Sequence, residues 1–526
     1  MHAVDAPALK AVILETMILD GRELALIDLR EELIFSQRHL LWARNVPLSR
    51  LELRFADLVP RRSTRIVLCD DNDGLVPRAA EILNRAGYTD VSVLDGGVSG
   101  WEKAGLELFS GVNVPSKAFG EHIEHANHTP SISANELDAL INGNTNMIVV
   151  DSRPFAEFQR VSIPTATNVP GAELALRIHD LVPSPDTLVV VNCAGRTRSI
   201  IGAQSLINAG IPNKVVALRN GTMGYSLAGF AVDSGKTKRK LDVSDGSLAH
   251  AKSLAGKVAQ RFGIQKINGA TLDKFRAEQD RTTYLFDVRN PEEYLESHIH
   301  GAISAPGGQL VQATDQYVGT LGARIVLIDE LEVRAIMTAS WLKQMGWRDV
   351  YVLAEKGNDK GAGVPAVLGS VAPMELTLDT AALSALLRND AATVVDLSLS
   401  TNYRKGHIPG AWFAIRSRLK EALAQISIKG ELVLTSEDGI LAGLALPDVQ
   451  KLTTAPVAYL HGGNAAWRAK GLPLATDEKL ADEPLDVWLK PYERKGDTTN
   501  AMAEYLSWET DLLPRIARDG TTRFQP

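Results

Sequence analysis

The sequence predicts an α/β protein: four tandem domains, each a central, mostly parallel sheet with helices on both faces. Four apolar runs end in aspartate, LIDLR at Asp28, VVDSR at Asp151, LFDVR at Asp287 and VVDLS at Asp396. A second strand-like run follows each one, reaching Cys69, Cys193, Asp329 and Ser436 at offsets of 41, 42, 42 and 40 residues. Between that run and a third lies a helical pattern, as in PRAAEILNRAGY, IIGAQSLINAGI and AIMTASWLKQMGW. Strand, helix and strand joined by short turns imply right-handed crossovers and a parallel sheet covered on both faces.

The third strand of each unit leads to a turn at Gly96, Asn220, Lys356 and Gly462, at offsets of 27, 27, 27 and 26 from the preceding landmark. Two landmarks at near-constant spacing, repeated four times, mark an internal repeat. Each unit is long enough, at roughly 100 residues, to bury its own core. The domains are expected at 1–115, 116–235, 267–368 and 369–476. Residues 111–131 are turn-rich and mixed and separate the first two. Residues 236–266 form a linker that opens with the basic run Lys236–Lys240 and continues as a helix over SLAHAKSLAGKVAQRF; a charge run of this kind is normally solvated. Gly361–Pro373 joins the last two units more tightly. The tail, 477–526, carries Met502, Tyr505, Leu506, Leu512 and Leu513 as a stripe on one helix, packed on its own chain or on a second copy in a homodimer.

Composition narrows the class. Of 526 residues, 45% are hydrophobic and 23% charged, which is ordinary for a globular chain. A net charge of −7 gives no electrostatic reason for nucleic acid or anionic membrane as partners. No run approaches the roughly eighteen apolar residues of a membrane span, and the N-terminus lacks a basic start with an apolar core and cleavage site. Two cysteines, Cys69 and Cys193, suggest no disulfide framework. A cytoplasmic protein is expected.

The chemistry concentrates in Leu188–Leu206, LVVVNCAGRTRSIIGAQSL. Leu188–Val191 reads as a buried strand, and Ile200, Ile201, Ala203 and Leu206 fall near helical spacing. Cys193 thus stands at a strand end facing the first turn of a helix, where unpaired amides and the helix dipole favour an anion. A thiol in that setting is expected to react as its thiolate.

This strand–loop–helix unit, the aspartate strand before it and the His407–Ala411 segment (HIPGA) resemble the rhodanese domain. The resemblance covers most of the chain as four copies; the tail and the 236–266 linker lie outside it. It implies a thiosulfate sulfurtransferase that needs no cofactor and works through a Cys193 persulfide. In familiar two-domain relatives an inactive first domain precedes an active second one, with the cleft between them. Units one and two follow that order, which leaves three and four as a degenerate pair for stability, dimerisation or docking.

The loop chemistry suits that reading. Cys193 thiolate would attack the outer sulfur of thiosulfate, release sulfite and become a persulfide. Amides from Ala194 through Ser199 would form a nest around the terminal sulfur, with Gly195 supplying backbone freedom. Arg196 and Arg198 would attract the donor, and Thr197 and Ser199 add hydroxyl donors. Cyanide, a small thiol or an acceptor protein would then take the sulfur; 3-mercaptopyruvate or a protein persulfide would be a donor of the same kind. A cysteine phosphatase or arsenate reductase is a minor alternative, because such loops need arginine six positions after the cysteine to clamp a phosphoryl group. Here that position is Ser199, and Arg198 comes one early. A non-turnover scaffold, sulfur carrier or sulfur sensor is the alternative from another class.

The other units act as controls. Cys69 is followed by Asp70, Asp71 and Asp73, which would repel thiosulfate, so a dead loop is expected there. Asp329 and Ser436 cannot carry a persulfide. His39, His298 and His407 lie eleven residues after their aspartates, whereas unit two has Ser162 at that position, so these histidines are expected to be structural. His298 and His300 lack a third ligand nearby, and no metal is expected. Asp151 and Arg153 are expected to form a buried ion pair, a pattern that lapses at Ser398.

Overall fold

The computed structural model describes residues 6–363 and 366–526. The first five residues of the expected first domain and two positions of the Gly361–Pro373 join lie outside them. The chain forms four five-stranded sheets in which every strand pair is parallel. In the second domain the order is Ser131–Ile132, Val215–Leu218, Leu188–Asn192, Met147–Asp151 and Thr167–Asn168. The other three sheets repeat it. Val189, Val190 and Val191 are fully buried, as residues of a sheet covered on both faces must be. The two outer strands of each sheet are only two or three residues long, too short to leave a periodic signal.

The strand-end aspartates hold the first turn of each domain. Asp28, Asp151 and Asp287 are buried and pair with Arg30 (2.6 Å), Arg153 (2.7 Å) and Arg289 (2.6 Å), two residues on. In the fourth domain Asp396 accepts from the Asn464 amide at 2.8 Å and from Ser398. His39, His298 and His407 stack on the rings of Phe35, Tyr294 and Tyr403 at centroid distances of 4.0, 4.1 and 3.8 Å. They are packing elements in a tight turn.

Domain three packs on both domain two and domain one, and domain one also packs on domain four, so the expected pairing of one with two and three with four is corrected. One apolar core runs through domains two and three, from Leu206 to Trp341, and Trp341 donates to Ser205 at 2.8 Å across it. Backbones meet there: a Cβ on Gly308 would lie 3.1 Å from the Gly171 nitrogen. Domains one and four are joined by Arg416, which donates twice to Glu52 at 2.8 Å. The helices Thr197–Ala209 and Val333–Gln344 explain the arrangement, since nearly all their residues are buried and one sheet face cannot cover them.

Three joins differ from expectation. The 111–131 segment is a helix, Val114–Asn127, entered and left through left-handed Asn113 and His128. Val114, Ala118, Phe119 and Ile123 form its apolar stripe, hidden in sequence among turn-forming residues. In the 236–266 linker the helix spans Asp245–Arg261, as expected, but the basic run before it is not simply solvated. Arg239 lies 4.4 Å over the Phe155 ring and pairs with Glu292 of domain three. The tail forms two helices, Thr498–Thr510 and Leu512–Asp519, rather than one. Its stripe packs on its own chain: Met502 and Leu506 on Met223, Leu512 on Phe109 and Ala118. No helix among the described residues is long and apolar enough to cross a membrane.

Candidate functional site

The second strand of domain two ends at Asn192, whose amide donates to Asp151 (2.9 Å) and Thr222 (3.1 Å). Cys193 is the first residue off the sheet. Its carbonyl accepts from the Thr222 amide (2.8 Å) and hydroxyl (3.0 Å), and the Ala194 carbonyl accepts from Met223 at 2.9 Å. That close approach requires Gly221: its φ is +54°, and a Cβ there would lie 2.4 Å from the Cys193 oxygen. With the carbonyls turned back in this way, the loop amides face the other side. Among the described residues, no amide from Ala194 through Arg198 donates to a protein acceptor.

The other domains show what fills such a loop. Asp70 and Ser436 occupy the Cys193 position: their carbonyls accept from Val98 and Asn464 as Cys193 does from Thr222. Cys69 is therefore one residue early, which corrects the alignment at that landmark. It pairs in register with Asp28, as Asn192 pairs with Asp151. A shift of one residue turns a strand side chain to the opposite face. The Cys69 thiol points into a core with Leu26, Val67 and Trp101, and burial, then Asp28, pushes it well above the usual thiol range.

The Asp70 carboxylate accepts from the amides of Asn72 (3.0 Å), Leu75 (3.0 Å) and Val76 (3.2 Å). In domain three Asp329 accepts from Leu331 (3.1 Å), Arg334 (2.8 Å) and Ala335 (3.4 Å), the same three positions of the loop. In domain four the Ser436 hydroxyl accepts from Ala442 at 3.3 Å. Two domains thus hold a built-in carboxylate in the nest. In domain two the residue at that position is Cys193, and the corresponding amides of Gly195 and Arg198 have no acceptor among the described residues.

Cys193 is 2% exposed, and its Sγ lies 3.3 Å from the Ser199 hydroxyl, which donates to the Arg196 carbonyl at 2.8 Å. Both loop arginines are committed to carboxylates rather than free. Arg196 donates to both oxygens of Glu121 at 2.7 Å and also to Glu124, which keeps its guanidinium firmly charged despite burial. Arg198 pairs with Glu157 at 2.8 Å. Lys490 reaches the same carboxylate at 3.0 Å. Burial alone would raise the Glu157 carboxyl, but Arg198 and then Lys490 outweigh it and hold it well below the usual range. Gly195 does not adopt a left-handed conformation; its need is for space, since a Cβ would lie 2.9 Å from Met223 and 3.1 Å from Glu509. Thr197 donates to Glu509 at 3.4 Å.

A cavity of about 340 Å³ opens over Cys193. Domain one supplies Glu32, the Val114–Asn127 helix Lys117, and domain three Gln312 and Gln316; the tail contributes Trp488, Lys490, Tyr492 and Tyr505. Sequence reasoning missed this roof, and with it Glu509, whose side chain is fully buried and paired with Lys117 at 2.9 Å. The available signal was a carboxylate on the apolar stripe of the tail helix, seven residues after Met502. Among the described residues no group of three or more His, Cys, Asp or Glu side chains could hold a metal ion.

A model of the rhodanese-like domain matches residues 11–104, 133–228, 271–355 and 379–470. The crystal structure of a thiosulfate sulfurtransferase from Pseudomonas aeruginosa superposes with a TM-score of 0.95 at 47% identity, covering 99% of each chain. A 3-mercaptopyruvate sulfurtransferase of Escherichia coli (strain K12) is 28% identical over 173 residues, 28% of this chain and 60% of that protein. An uncharacterized protein, YqhL, of Bacillus subtilis (strain 168) is 38% identical over 80 residues, 15% of this chain and 62% of that protein. The chain thus spans less than two thirds of the length of these two curated relatives.

Proposed function

The chain belongs to the rhodanese-like domain family, and we propose that it is a thiosulfate sulfurtransferase with one active centre, at Cys193 in domain two (116–235). The observation that carries this reading is a set of loop amides beside a cysteine that have no acceptor among the described residues, where two sister domains supply a carboxylate.

Cys193 thiolate attacks the outer sulfur of thiosulfate. The S–S bond of the donor breaks, sulfite leaves with the bonding pair, and the enzyme is left as Cys193–S–S⁻. The terminal sulfur occupies the position that carboxylate oxygens take in domains one and three, facing the amides of Gly195 and Arg198. Arg198 and Lys490 share a single carboxylate, so this side of the cavity carries net positive charge toward the dianion. In the second half, a thiophilic acceptor such as cyanide or a thiol attacks the outer sulfur and regenerates the thiolate. Two separate half-reactions predict ping-pong kinetics.

Domains one, three and four have no reacting thiol in the loop and serve as scaffold. The roof over Cys193 comes from the chain's own tail, so the site needs no second copy. A mechanism built on a free thiolate suits the reducing cytoplasm, where we place the protein.

The test is turnover of thiosulfate and cyanide to thiocyanate, together with mass spectrometry of the thiosulfate-treated protein. One added sulfur on Cys193, and loss of turnover in Cys193→Ser, are expected. A Cys193→Ser rate equal to the unaltered protein's overturns the reading and favours a non-catalytic sulfur carrier or scaffold.

A further inference from the structure

The cavity is several times larger than the reaction described so far requires. A volume of about 340 Å³ is far more than thiosulfate or cyanide fills. It lies instead in the range of sites that enclose an organic molecule. The surplus space is bounded by the tail, and that wall is chemically distinct from the loop. Trp488 and Tyr505 stand 6.1 Å apart at a tilt of 40°, and Tyr492 lies on the same wall.

The charges facing the space divide unevenly. Lys117 is neutralised by Glu509, Arg196 by Glu121 and Glu124, and Glu493 by Arg160 at 2.6 Å. Burial pushes the Glu32 carboxyl up, and this carboxylate stands on the domain-one side of the space. Arg198 and Lys490 have one carboxylate between them, Glu157. Lys490 is the more accessible of the two, with 40% of its side chain exposed. Arg198, Lys490 and Glu157 together thus carry one excess positive charge beside the aromatic wall and the persulfide loop. Arg196 with its two glutamates carries one excess negative charge on its own side of the loop.

We propose that the tail forms the subsite of the sulfur acceptor, and that the acceptor is a low-molecular-weight organic thiol bearing a carboxylate. Its carbon body lies on Trp488, Tyr492 and Tyr505, and its carboxylate meets Lys490. Its thiolate then attacks the outer sulfur of Cys193–S–S⁻. One S–S bond forms as another breaks, the bonding pair returns to Cys193 as thiolate, and the acceptor leaves as its own persulfide. No external oxidant or reductant takes part. The subsite rests on the sulfurtransferase reading above.

The experiment compares mercaptoacetate with 2-mercaptoethanol as acceptors, with thiosulfate as donor and rates corrected for thiolate fraction. The full-length protein should prefer mercaptoacetate by about tenfold or more in kcat/KM, the scale of a charge-assisted contact. Lys490→Gln should bring that ratio close to one, Lys490→Arg should keep it, and Trp488→Leu should raise KM for both thiols. A ratio near one in the unaltered protein, or one that survives Lys490→Gln, overturns the subsite. So does loading of Cys193 by 3-mercaptopyruvate alone with a KM that depends on Lys490, which assigns the wall to the donor. If thiosulfate adds no sulfur to Cys193, the sulfurtransferase reading fails instead and takes the subsite with it.

Discussion

Cys69 lies directly across the parallel ladder from Asp28, with its side chain in the core. Burial and the neighbouring carboxylate keep this thiol protonated. Thiosulfate should therefore leave Cys69 unmodified, and alkylating agents should reach it only after denaturant is added. Cys69→Ala should retain full turnover while losing about 1–2 kcal/mol of stability in urea. Sulfur found on Cys69 by peptide mass spectrometry would contradict this assignment.

Lys117 and Glu509 are expected to act as a unit. Removing the lysine leaves a buried carboxylate beside Gly195, where the persulfide charge develops. Lys117→Ala should cost about 3 kcal/mol of stability, because an unpaired buried charge remains. It should also slow persulfide loading in single-turnover experiments. Lys117→Met combined with Glu509→Gln should recover most of both losses; a double variant as slow as the single one would rule out electrostatic repulsion.

Arg334 ties the third domain to the second. Its guanidinium is fully buried and meets Asp329 (2.8 Å), Glu293 (2.6 Å) and Glu173 of domain two (3.2 Å). Arg334→Ala should lower stability by about 3–5 kcal/mol, read from the urea midpoint. Asp329→Asn should cost less, since its side-chain oxygen still accepts from the loop amides. Equal losses in the two variants would count against this ranking.

Glu31 gives the fold a pH dependence of definite sign. It is held between the Ser49 and Ser417 hydroxyls at 3.0 Å each, where domains one and four meet. Burial pushes its carboxyl from 4.5 up to about 7; the two serines oppose that rise, and Asp486 adds to it. The folded chain thus binds this proton more tightly than the unfolded one. Its contribution, roughly 3 kcal/mol at most, is complete below about pH 4.5 and is lost as pH rises through 7. Glu31→Gln should flatten the decline in urea midpoint between pH 5 and 8. An unchanged slope in the variant would assign the decline to other groups.

Local patterns were legible in the sequence, and long-range placement was not. The repeat, the parallel sheets and the strand–loop–helix at Cys193 follow from short stretches whose apolar spacing decides their structure. The one-residue slip at Cys69 was visible only as an offset of 41 beside two of 42, too small a signal to override a matching cysteine. The Val114–Asn127 helix was masked by Pro115, Gly120 and two asparagines. The partners of Arg196 and Arg198 come from helices dozens of residues away, and Lys490 and Tyr492 from the far end of the chain. Nothing near Cys193 encodes them, because sequence spacing does not report which surfaces a second domain or a tail will cover.

The roof also sets an order of events. Domains two and three, which share one core, emerge from the ribosome a whole domain before Lys490, Tyr492 and Glu509 are made, and until then these residues cannot cover the reactive loop. During that interval Cys193 is an uncovered thiol; once the tail docks, it is enclosed. Synthesis itself then divides the life of this cysteine into an early period open to any oxidant and a later one in which entry is selective.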